Sequence, residues 1–219
     1  MIRPVMFVSV AALVALATAA VVAAGDGKEQ IRLNPVDQAA ARAVVIRRSD
    51  LGTSGWQGGP VKPDLSGPSC PNYHPKLFDL VITGAAEADF RRGGFAFGSA
   101  GEVLKTRRMV ALDWRRSVLA PGAVSCLRTT MRNGLGTTAK VISFAKLPFP
   151  RLATYVAFFR AAIGVPVQGR TVRLLADIVL VGRGRTELTL SVVGPAAAKT
   201  AISAAERRLA RSLISRARV

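Results

Sequence analysis

The stretch from Arg170 to Val193, RTVRLLADIVLVGRGRTELTLSVV, constrains the fold more than any other part of the chain. Leucine and β-branched residues fill both arms and Gly182-Arg183-Gly184 separates them, which is the pattern of a hairpin. The length of the loop decides which side chains share a face. With a two-residue loop at Arg183-Gly184, even positions on the first arm oppose odd positions on the second, and Asp177 faces Leu190. With a three-residue loop whose Gly184 is left-handed in a G1 bulge, even positions oppose even. One face then collects Val172, Leu174, Ala176, Ile178, Leu180, Leu188, Leu190 and Val192. The other mixes Arg173, Asp177, Arg185, Glu187, Thr189 and Ser191 with Leu175, Val179, Val181 and Val193. A lone carboxylate among leucines costs roughly several kcal/mol, so the three-residue loop is expected. The resulting mixed face makes Arg173, Asp177, Glu187 and Thr189 the candidate ligand contacts.

The chain opens with one basic residue, Arg3, and an apolar run from Val5 to Ala24. Val22-Ala23-Ala24 before Gly25 reads as a signal-peptidase site, so residues 1–24 are expected to be a cleaved leader. The run is also long enough for an uncleaved membrane anchor, and either way residues 25–219 are extracytoplasmic. They fit one domain. With 50% of residues apolar and 20% charged, the chain has the material for a core and is not disordered by default. Cys70 and Cys126 are its two cysteines, and in an oxidising compartment the pair reads as a disulfide. Such a bond closes a long loop and is worth roughly 4 kcal/mol in the chain-entropy account. Two thiols and a single His do not fill a structural zinc site.

Asn34-Pro35 starts a helix that runs to about Arg48 with Val36, Ala40, Ala43 and Val44 as its apolar stripe. Gly52 to Pro75 reads as a loop pinned by Trp56. Leu80–Arg91 alternates as a half-buried strand and pairs with Phe95–Leu104, where Gly98 and Gly101 suggest a bulge. Helices follow over 106–119, with Trp114 in the core, and from Pro121 to the Asn133-Gly134 stop. Strands at 139–147 and 152–162 precede the hairpin, and a helix closes the chain over 196–216 with Ile202, Ala205, Leu209 and Leu213 buried. The order, α-ββ-αα-ββββ-α, implies an α+β domain: one largely antiparallel sheet of about six strands with helices packed on one face.

An exported chain whose first helical region ends near a Trp, with a Cys before the first strand, a second Cys in the helices after strand two and a closing basic helix, resembles the PknH-like extracellular sensor domains of mycobacterial kinases. It is similar also to their stand-alone secreted or lipoprotein relatives. Only Cys70 and Cys126 carry over as residues. The resemblance implies a cleft-bearing module for an unidentified ligand.

No residue constellation points to catalysis. His74 lies in a rigid turn beside Cys70. Phe97-Gly98-Ser99-Ala100-Gly101 misses the nucleophile elbow by one glycine position and reads as strand. Glu87 and Asp89 share a strand face as a glycosidase pair does, but read more simply as a solvated edge. The Gly93-Gly94 turn lacks the Lys and hydroxyl of a phosphate loop. No enzyme activity, cofactor or metal is expected.

The net charge is +18, from 31 basic and 13 acidic residues. Such a charge speaks to partners, not to fold. Lys105, Arg107, Arg108, Arg115 and Arg116 form one basic group, and the last helix carries Arg207, Arg208 and Arg211. Anionic membrane lipids or cell-wall polymers are the expected partners of these arginines. Nucleic acid ranks last, because no stacking aromatics interleave the charges. Two functions follow as expectations: a non-catalytic ligand-binding or sensor-like module with a cleft on the mixed face, or a basic envelope protein that adheres to anionic surfaces without a specific pocket.

Overall fold

The computed structural model describes residues 28–52, 54–65 and 70–217, and the leader expected over residues 1–24 lies outside them. The strands are β1 (Gln30–Ile31), β2 (Gln57–Val61), β3 (Val81–Arg92), β4 (Phe95–Leu104), β5 (Lys140–Lys146), β6 (Tyr155–Val167), β7 (Arg170–Arg183) and β8 (Thr186–Pro195). The helices are α1 (Pro35–Ala43), α2 (Arg107–Asp113), which runs into a π-turn at Trp114–Val118, α3 (Ala123–Leu135) and α4 (Lys199–Ser215). All eight strands form one sheet in the order β1-β3-β4-β8-β7-β6-β5, with β2 on β3 as well. Only the β1–β3 pairing is parallel. The two strands beyond the expected six are β1 and β2, which share the outer edge of β3 at its opposite ends. β2, QGGPV, hides inside the Gly- and Pro-rich stretch because backbone pairing, not side-chain pattern, makes it a strand.

The hairpin register differs from the expected one. Arg183 pairs with Thr186 across a two-residue loop, Gly184-Arg185, and Asp177 lies opposite Val192. Gly184 has φ +63° and Arg185 does not have positive φ, the pattern of a type II′ turn. Even positions of β7 therefore oppose odd positions of β8. The argument against this parity assumed a lone carboxylate, and Asp177 is not alone. Arg160 is its direct neighbour on β6, where Nε donates to Oδ1 at 2.7 Å and Nη2 to Oδ2. Arg160 Nη2 also donates to Ser203 Oγ on α4 at 3.0 Å and its guanidinium stacks 5.2 Å from the Phe158 ring. Glu206 of α4 completes the group; burial first, and then the Asp177 carboxylate, push it up to about 10, so it packs there as a neutral acid.

Helices cover both faces of the sheet, not one. Odd positions of β7 (Leu175, Val179, Val181) join Leu190 and Val192 under α1 and α4, through Ala41, Val45, Leu209 and Leu213. Even positions (Leu174, Ala176, Ile178, Leu180) pack against Trp114, Leu127, Met131 and Leu135 of the π-turn and α3. The chain reaches this second face by passing from β4 through α2, the π-turn and α3 before β5 starts at the far edge. α1 is capped by Asn34 as expected, but it ends at Ala43 and buries Asp37 and Ala41 while Val36 is 73% exposed. Arg185 in the hairpin turn accounts for the buried acid, since its Nη2 donates to Asp37 Oδ2 at 2.5 Å. Gly101 marks no bulge; a Cβ there would meet Val44 Cγ2 at 2.6 Å, so the glycine lets α1 lie close on the sheet. α3 runs through Asn133-Gly134 and ends at Leu135, followed by Gly136 at positive φ. Trp56 and Trp114 are buried as expected, edge-on to Phe97 and stacked on Tyr155. Cys70 and Cys126 form a disulfide that ties the segment before β3 to α3.

Removing one partner of a buried ion pair strands the other charge, whereas replacing both by apolar groups is often neutral. Asp177→Ala is therefore expected to lower unfolding stability by about 3–5 kcal/mol in denaturant titration, and Arg160→Met with Asp177→Leu to recover most of that loss. Additive losses in the double variant would show that the pair is not the unit.

Candidate functional site

The four candidate ligand contacts do not meet. Arg173 is exposed at the start of β7, opposite Gly164. Asp177 is buried under α4 with Arg160. Glu187 and Thr189 project from the other face of the sheet, towards α2 and the π-turn. There they line a small pocket of about 30 Å³ together with Glu102, Asp113, Trp114 and Val118. That volume holds one or two water molecules.

Three carboxyl groups line this pocket, Glu187, Glu102 and Asp113, and two more interact with them. Glu187 on β8 pairs across the sheet with Glu102 on β4. Asp113 ends α2 and accepts from Ser117 Oγ at 2.5 Å in the π-turn. Glu29, just ahead of β1, approaches the same group, and Glu87 of β3 acts on Glu102. Glu87 and Glu102 are buried, so the solvated edge expected at Glu87 is not present; its Oε2 accepts from the Asp64 amide at 2.9 Å. Burial is the first cause of a common upward shift, with mutual repulsion second. It pushes Glu102 up to about 8, with Asp113 and Glu87 adding to it. It pushes Glu29 up to about 9, with Glu102 and Asp113 adding. Glu187 is held well above the ordinary carboxyl range by burial and then by Asp113, and Asp113 itself is raised by burial. The group is a store of protons around a water-sized space. Among the described residues, no set of His, Cys, Asp and Glu is placed to hold a metal ion.

Glu29, Glu102 and Asp113 were not singled out by sequence reasoning. For Glu102 and Asp113 the signal was an acid inside an otherwise apolar strand or helix, readable as a cluster only once β4 is known to pair with β8; Glu29, in a polar stretch ahead of β1, carried no such signal. Ser99 is structural, its Oγ accepting from the Ile46 amide at 2.8 Å. His74 is exposed, with Nε2 2.8 Å from the Pro71 carbonyl oxygen.

The second candidate is the outer face of α4. Arg207, Arg208 and Arg211 line one open groove with Ala204, Ser212 and Ser215. These positions recur at helical spacing, so they form a stripe along the axis. The helix has one acidic residue, Glu206, and it faces inward to Arg160. Arg208 Nη1 donates to the Asp50 carbonyl at 2.8 Å, and Arg216 pairs with the Asp50 carboxylate, fastening this end of α4 to the segment after α1.

No family model matches the chain, and no curated protein matches it. The PknH-like resemblance therefore has no family or sequence support. Among solved structures, the chain is similar to an uncharacterized protein of Mycobacterium smegmatis described as the Rv0999 ortholog. The identity is 12%, the TM-score 0.42, and the match covers 84% of this chain and 98% of that one. No helix among the described residues is long and apolar enough to cross a membrane.

Each raised carboxyl binds its proton more tightly in the folded chain than in the unfolded one. Between the ordinary carboxyl range and about 8 to 9 the folded state thus carries more protons, and stability falls as pH rises through that window. Thermal midpoints are expected to be highest near about pH 5 and to fall towards about pH 9, and Glu102→Gln is expected to flatten that fall and to exceed the parent above about pH 8. A parent midpoint that rises over the same range would contradict the buried-proton account.

Proposed function

We propose that the chain is a non-catalytic extracytoplasmic interaction protein that adheres to anionic polymers or headgroups of the cell envelope through the outer face of α4. The observation that carries this reading is the stripe of Arg207, Arg208 and Arg211 in one groove with no carboxylate among its lining residues. Ala204, Ser212 and Ser215 between them are small, so a chain of phosphates or carboxylates can lie close to the helix. The disulfide is consistent with an extracellular location. Nucleic acid is not the proposed partner, because no aromatic side chain lines the groove to stack a base. The sensor-like reading has less support. Its mixed face depended on the register that does not occur, and the cavity beside Glu187 and Thr189 is water-sized.

Binding through point charges on a polyanion releases counterions, so log K falls linearly with log salt and each lost contact lowers the slope by about one. With long-chain inorganic polyphosphate as the probe, R207Q/R208Q/R211Q is expected to lower the slope by about three, with the fold checked by thermal midpoint. An unchanged slope would remove α4 as the contact.

A further inference from the structure

A second basic groove lies between the C-terminal half of α3 and β5. Its cations are Arg128 and Arg132, one helical turn apart, and Lys140 at the start of β5. Asn133 and Ser143 add neutral hydrogen-bonding groups, Phe144 adds an apolar wall, and no carboxylate lines it. The open space is about 510 Å³, against about 300–1,000 Å³ for ligand-sized clefts. The same edge carries a large exposed apolar side chain, which turns over Gly164 to the face of the sheet opposite α3. Ile142 is 50% exposed in the middle of β5, and Leu147 just past the strand is exposed too. β5 is the last strand of the sheet, so its outer edge is unpaired.

An exposed isoleucine on an unpaired edge is a liability that soluble proteins usually blunt. Lysines at both ends of β5, Lys140 and Lys146, blunt pairing with another strand, yet they leave Ile142 and its neighbouring cations open. Cations and an exposed apolar side chain along one sheet edge match one environment well, the headgroup region of an anionic bilayer. There the charges meet phosphates while the apolar group reaches the start of the acyl chains. A purely polar polymer would leave Ile142 and Leu147 in water.

We propose that the α3–β5 edge docks edge-on against an anionic lipid surface, with Arg128, Arg132 and Lys140 at the headgroup phosphates and Ile142, on the other face of β5 from α3, at the start of the acyl chains. This contact is separate from the one at α4. The two helices pack on opposite faces of the sheet, as the odd and even positions of β7 require. One molecule then presents a lipid-facing edge and a polymer-facing helix.

The test is sedimentation of the intact protein with vesicles of phosphatidylglycerol in phosphatidylcholine and of phosphatidylcholine alone. Each cation near such a surface contributes about fivefold, so R128Q/R132Q/K140Q is expected to weaken low-salt binding by about 100-fold. At about 1 M salt, where charges are screened beyond about 3 Å, a residual apolar component is expected to persist. Ile142→Asp removes that component, and Ile142→Thr, which keeps a β-branched side chain on the strand, reduces it. R207Q/R208Q/R211Q leaves it intact, and the α3–β5 variants keep the parent affinity for polyphosphate. Absence of vesicle binding, or α3–β5 variants that bind like the parent, overturns the proposal. Vesicle binding lost only in the α4 variant overturns it while leaving the α4 reading in place, and an unchanged polyphosphate slope sinks the α4 reading alone.

Discussion

In the middle of β7, Asp177 is placed where a single charge would be intolerable, and Arg160 on the next strand makes it tolerable. The guanidinium meets both carboxylate oxygens, reaches Ser203 on α4 and lies over the Phe158 ring, so one side chain links two strands and a helix. Because the pair is satisfied, the face that carries it can be sealed by α4, and the sheet can be buried on both sides. A buried ion pair is not by itself a source of stability. Its consequence here is specificity. A one-residue slip of β6 against β7 would move Arg160 to the opposite face from Asp177, so the pair fixes the central register more strictly than leucine packing could.

A second long-range pair does the same for the first helix. Arg185 sits in the β7–β8 turn, yet its guanidinium meets Asp37 and Thr83 and its Nε donates to the Leu104 carbonyl. Burial opposes ionisation of Asp37, but hydrogen bonds from Thr83, Asn34 and Arg185 outweigh it and leave its carboxyl below the usual range. The turn residue that sequence reasoning assigned to the mixed, ligand-facing side thus holds α1 against β3. Gly84 makes room for the contact, since a Cβ there would lie 2.1 Å from the Asp37 carbonyl oxygen.

The helices, the long strands and the disulfide were legible because local chemistry dictates them: the Asn34-Pro35 cap, the alternation of β3, and two cysteines in an oxidising context. The register was misjudged for a local reason, because Asp177 was weighed without its neighbour. The missing information lay within the chain itself. Gln168 and Gly169 both have positive φ and form the two-residue loop between β6 and β7, and counting outward from that loop brings Arg160 opposite Asp177. Ending the preceding strand at Ala162 hid the relation. The run LLADIVLV carried a second hint, since a strand without alternation is one covered on both faces. Nothing local could reveal β2 or the carboxyl cluster, which exist only through pairings between distant segments.

The same interior explains how the molecule handles its charge. Among the described residues six acids, Asp37, Glu87, Glu102, Asp113, Asp177 and Glu206, are buried, and Glu187 lines the small pocket. Glu29, Glu102 and Glu206 are pushed up to about 9, 8 and 10 and Glu187 is shifted the same way, so the folded chain is more positive at neutral pH than its formal +18. Withdrawing acids from the surface leaves its arginines with few carboxylates to compete for them. The interior thereby sacrifices some stability at neutral pH, since each acid raised by burial favours the protonated state that the unfolded chain has already given up. In return, no carboxylate is among the residues that line the grooves of α3 and α4. An acid moved from the pocket to the surface beside Arg207 or Arg128 would neutralise locally what the fold separates.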